Sequence, residues 1–126
     1  MKLLVVSLLA MSALAGPAED CWAQRKRGKI VEAGACFQAL TRSPLPLLRA
    51  EGFWGLGRFS DANDQFRVAE KMDPKNADVK VRWGRMFEER YQPADAAKLF
   101  EEALEIRKDY APALLGMALV ASNSFE

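Results

Sequence analysis

Two stretches of this chain say nearly the same thing a fixed distance apart, and that repetition limits the folds open to it more than any other feature. Ala50, Phe53, Ala62, Phe66 and Ala69 are answered by Gly84, Phe87, Ala96, Phe100 and Ala103, each pair separated by the same step of about 34 residues. In both copies a small residue precedes Phe by three places, and after a gap Ala, Phe and Ala recur at spacings of four and three. Such spacings put side chains on one face of an α-helix, so each copy encodes two helices with apolar faces. The small residues let helix backbones come close, and the phenylalanines fill the space between them. A chain written this way folds as stacked helical hairpins, all-α, each unit burying its face against its neighbour.

The pattern resembles the tetratricopeptide repeat, a helix-turn-helix unit of that period. The resemblance is sharpest at Asp73-Pro74-Lys75-Asn76-Ala77, where repeats of that family turn from one unit to the next. Some positions depart from the family: Arg49 and Trp83 stand where Leu is usual, Pro46 and Lys80 where Trp opens the pattern, and Lys108 where Pro closes it. The regular copies predict helices over 44–55, 60–72, 76–89 and 93–106. Gly57 and Tyr91-Gln92 form the turns inside the hairpins, and Ser60 and Pro93 stand where a cap and a first-turn proline belong.

Glu19 to Leu40 is a less regular hairpin. A first helix over 19–27 carries Cys21 and Trp22, Gly28 supplies the break, and Ile30, Ala33, Phe37 and Leu40 give a second helix its apolar face. From Ala33 to Ala62 the step is only about 29 residues, because the prolines of Ser43-Pro44-Leu45-Pro46 start the next helix directly after the last. The expected layout is a leader over 1–15 and a repeat domain over 16–126. That domain divides into a divergent repeat (19–43), two regular repeats (44–76 and 77–110) and a partial one (111–126), about seven helices in all. Ala118 lies one period after Gly84. From Ala111 to Ala121 there is no charged residue, so an uncovered apolar patch is expected there. Either the repeats continue beyond this chain, or a partner or a second copy buries the helix.

Met1-Lys2, an apolar run from Leu3 to Leu14, and Ala13-Leu14-Ala15 before Gly16 fit a secretory signal peptide cut after Ala15. The run falls below the ~18 residues that spanning a bilayer requires, so no stable span is expected after cleavage. Export points to a periplasmic or secreted protein. The cysteines fit that compartment: with the turn near Gly28, Cys21 and Cys36 come level in an antiparallel helix pair. A disulfide is favoured over two buried thiols, and over a redox pair, which would want close C-x-x-C spacing.

Composition narrows the chemistry. With 18 basic and 17 acidic residues the formal charge is +1, which leaves no excess to hold nucleic acid. There is no histidine, the commonest general base and metal ligand. Glu88-Glu89 and Glu101-Glu102 are neighbours that diverge by about 100° on a helix and cannot converge on one substrate. No catalytic residue, metal or cofactor is therefore expected. The basic run from Arg25 to Lys29 fits a helix end complementing its dipole better than it fits an anionic ligand.

What the resemblance implies is a binding surface: in such arrays the first helix of each repeat lines a concave groove that holds a peptide or a partner helix. Here those residues are Leu47, Glu51 and Trp54 in one repeat, and Asp78, Val81, Arg82, Arg85 and Glu88 in the next. The set differs from the Lys and Asn residues with which some family members clamp a C-terminal carboxylate, so chaperone-tail binding is not expected. The function expected is protein-protein interaction or scaffolding in a bacterial envelope. The alternative is the front section of a longer secreted enzyme, such as a peptidase.

Overall fold

The computed structural model describes residues 16–124. The expected leader, with its cut after Ala15, lies outside the described residues. Seven helices lie among the described residues, in order: α1 (Pro17–Lys26), α2 (Ile30–Leu40), α3 (Pro46–Gly55), α4 (Phe59–Met72), α5 (Ala77–Glu89), α6 (Pro93–Ile106) and α7 (Ala111–Asn123). Among the described residues there is no strand. Prolines open α1, α3 and α6, where the missing N–H has no intrahelical partner to lose. Asn76 caps α5, its side chain accepting from the backbone N–H of Asp78 at 3.0 Å. Each hairpin turns through a left-handed residue: Gly28, Gly57 and, with φ 58°, Tyr91. Glycine adopts that conformation freely, whereas for Tyr91 it costs about 1 to 2 kcal/mol.

Two compact units divide the chain within α4, one ending at Ala62 and the other starting at Asn63. In the first, α1 packs on α2, and both pack on α3. Its core is Ala18, Cys21, Ala33, Phe37 and Leu40. Gly52 and Gly55 bring α3 close: a Cβ at Gly52 would stand 2.7 Å from the Phe37 carbonyl oxygen, and one at Gly55 would stand 2.2 Å from the Phe37 ring. Cys21 and Cys36 are joined in a disulfide with Cα atoms 5.4 Å apart. The two helices are therefore level there, as the placement of the turn predicts. Closing a loop of this length stabilises by ~3 kcal/mol through lost chain entropy in the unfolded state.

In the second unit α5, α6 and α7 pack pairwise around Ala77, Val81, Ala96, Phe100, Ala103, Ala113 and Val120. Phe100, fully buried, sits against two glycines. A Cβ at Gly84 would lie 2.7 Å from its ring and one at Gly116 would lie 2.5 Å away. Ala118, the periodic counterpart of Gly84, is exposed. Gly84 meets the helix that follows it in its own hairpin, and among the described residues no helix follows α7. α7 instead turns Gly116 toward the preceding hairpin. Leu114 and Leu115 are half-exposed, whereas Met117 and Leu119 are half-buried and Val120 is buried.

The far half of α4 is tied to α5 by polar and aromatic contacts. The Trp83 ring stacks on Phe66 with centroids 5.9 Å apart, and its Nε1 donates to Asn63 Oδ1 at 2.7 Å. Lys80 stands where the repeat pattern has Trp, and its Nζ donates both to Glu70 and, at 2.8 Å, to Glu102. One ammonium thus links α4, α5 and α6 with its side chain only 12% exposed. Burial acts to lower the Lys80 pKa, but the two carboxylates outweigh it and the net shift is upward. Tyr110 is raised too, first by its hydrogen bond to Asp78 and then by burial.

For both groups the folded state holds the proton more tightly than the unfolded chain does. The stability each contributes is full below its ordinary value, 10.5 for Lys80 and 10.0 for Tyr110, and is lost as pH rises through the folded value. The urea midpoint of the second unit is expected to fall from about pH 10 upward. A Lys80→Met, Tyr110→Phe variant should be less stable near neutrality, by about 1 to 3 kcal/mol, and should show a flatter alkaline decline. An unchanged alkaline slope would mean that neither group is linked to folding.

Candidate protein-binding surface

The surface residues implied by the repeat resemblance fall in both units. In the first, α1 packs on α3 and covers part of its face. Leu47 is half-buried, whereas Glu51 is 3% and Trp54 4% exposed. Trp54, expected on an open face, packs its ring against Trp22 of α1 with centroids 4.7 Å apart. Glu51 accepts a hydrogen bond from Trp22 Nε1 at 2.8 Å. Arg25 completes the cover: it donates to the Gly55 carbonyl at the end of α3 and lies over the Trp22 and Phe37 rings at 5.0 and 4.7 Å. Trp22 is edge-on to Phe37 at 4.7 Å. Glu51 and Trp54 are therefore part of the packing between α1 and α3 rather than of an open groove.

The second unit keeps more of the expected surface. On α5, Asp78 is exposed, and Arg82, Arg85 and Glu88 are half-buried. Val81 is the exception: at 5% exposure it belongs to the core with Ala77 and Phe100. Arg82 and Arg85, three apart, share a face of the helix. Arg85 Nε is sheltered from solvent with no acceptor in hydrogen-bonding reach. Asp78 accepts a hydrogen bond from the Tyr110 hydroxyl, and Glu88 Oε1 accepts from Asn123 Nδ2 at 2.8 Å. Glu88 also opens onto a cleft of about 230 Å³ that it lines with Tyr91, Pro93, Val120, Asn123 and Ser124. Tyr91, strained in its backbone and 89% exposed, stands at that cleft. Tyr91 occupies the turn position that Gly28 and Gly57 take in the other hairpins.

No protein-family model and no curated protein matches the chain. Among solved structures it is similar to the first tetratricopeptide domain of Spaghetti (RPAP3), bound to the HSP90 peptide SRMEEVD. The match covers 87% of this chain and 91% of that one, with 20% identity and a TM-score of 0.58. The fold is thus that of a tetratricopeptide-repeat domain: all-α, built of helical hairpin repeats.

Proposed function

We propose that this chain is an exported interaction protein of a bacterial envelope that holds an extended, carboxylate-bearing segment of a partner on α5. The observation that carries this reading is the arginine pair on α5: Arg82 and Arg85 are half-buried and share one helical face. A guanidinium fork binds a carboxylate through two parallel charge-assisted bonds. The similar solved domain holds a peptide rich in acidic residues, which supports a ligand of that class, although the donors on α5 are an arginine pair. Export is supported by the order of charged, apolar and small residues over 1–15, and by a disulfide that an oxidising compartment makes and keeps. N-terminal sequencing of exported protein should begin near Gly16, and intact Met1 on membrane-embedded protein would count against cleavage.

The binding test is a photocrosslinker placed beside Arg85 in the native envelope, followed by mass spectrometry. It should capture an Asp- or Glu-bearing segment. Arg85→Ala should weaken that partner about tenfold or more, the size of a lost charge-assisted bond, with little change in melting temperature. Unchanged binding by Arg85→Ala would remove α5 as the site.

A further inference from the structure

The turn between α1 and α2 is built as a basic tip with an apolar edge. Four of the five residues from Arg25 to Lys29 are basic, and Glu32 is the one acidic side chain that follows closely. Arg25 is committed inward to the Gly55 carbonyl and to the Trp22 and Phe37 rings. Lys26, Arg27 and Lys29 are exposed. Compensation of the helix dipole accounts for basic residues in the last turn of α1. It does not account for Lys29, which sits at the N-terminal cap of α2 with no side-chain capping bond, where a positive charge opposes the dipole. Nor does it account for Ile30 and Val31, which open α2 at 66% and 83% exposure while Ala33, Phe37 and Leu40 carry its buried face. Folding leaves two branched apolar side chains in water directly beside three outward cations.

We propose that this tip docks on an anionic membrane surface, with Lys26, Arg27 and Lys29 against headgroup phosphates and Ile30 and Val31 entering the interfacial layer. Charge complementarity selects an anionic occupant. The apolar pair selects a lipid surface over a soluble polyanion, because only the former offers both a phosphate layer and a hydrocarbon boundary. Each basic side chain near such a surface raises binding about fivefold. Docking of this kind is shallow, reversible and weakened by salt.

Amide hydrogen exchange of the full chain, followed at residues 26–31, tests this. The apolar stretch over 1–15 is present in every variant, so the readout is local rather than total vesicle binding. Vesicles of phosphatidylglycerol with phosphatidylcholine should slow exchange at 26–31, and phosphatidylcholine alone should not. Lys26→Gln, Arg27→Gln, Lys29→Gln should abolish the effect, and Ile30→Ser, Val31→Ser should reduce it several-fold while exchange across the rest of α1 and α2 stays as in the parent. Absence of slowing on anionic vesicles overturns the proposal. Equal slowing by soluble polyphosphate, with the serine pair behaving as the parent, overturns it in favour of a polyanion site.

Discussion

Trp54→Ala should destabilise the first unit by about 3 to 5 kcal/mol, the cost of deleting a large buried ring. The ring is 4% exposed and packs at 4.7 Å on Trp22, which is itself edge-on to Phe37 at the same distance. Removing it leaves a cavity beneath α1 and beside the buried carboxylate of Glu51, which loses an apolar neighbour that keeps Trp22 Nε1 in place to donate. α1 can relax into that space only partly, because the Cys21–Cys36 bond holds it level with α2. Urea unfolding followed by far-UV circular dichroism measures the effect without relying on the mutated fluorophore. Leu47→Ala, at a half-buried position on the same helix, should cost less. A Trp54→Ala loss below about 1 kcal/mol, the range of surface changes, would return Trp54 to the surface and reopen it as a binding residue.

The parts of this fold legible in the sequence are those governed by periodicity. Ala62, Phe66 and Ala69, and Ala96, Phe100 and Ala103, all have buried side chains, because a spacing of four and three fixes one helical face whatever lies opposite. The disulfide was legible for a related reason, since distance from a turn sets height in a helical hairpin. The burial of Glu51 and Trp54 is not legible in 46–55, because it depends on Trp22 of the neighbouring helix α1 rather than on their own helix. α1 packs over α3 as α7 packs over α5, and nothing within 46–55 records which neighbour will cover that face. Val81 was misplaced because core and surface meet along one side of α5, between Ala77 in the core and Arg85 half-exposed. Lys80 shows the limit of reading against a family pattern. It departs from the Trp of the pattern, and Glu70 and Glu102 on two other helices make it a link.

Phe100→Ala should cost the second unit about 3 to 5 kcal/mol, and Gly84→Leu about 1 to 3 kcal/mol, and the two should not add. The ring has no retreat in the folded protein: Gly84 faces it from α5 and Gly116 from α7, and a Cβ on either would come within 2.7 Å of ring carbons. A leucine at 84 must therefore displace a ring that the other glycine and the buried Ala96 and Ala103 confine. Once the ring is gone, the leucine has a cavity to enter. The double variant should then be less destabilised than the sum of the two singles by about 0.5 to 3 kcal/mol, the coupling expected of side chains that share one space. Additive losses would mean that the leucine finds room elsewhere, and that the approach of α5 to α6 is not set by the absence of a side chain at Gly84. Gly116→Leu tests the second helix contact: it too should be relieved by Phe100→Ala, because one ring sets the distance of both α5 and α7 from α6.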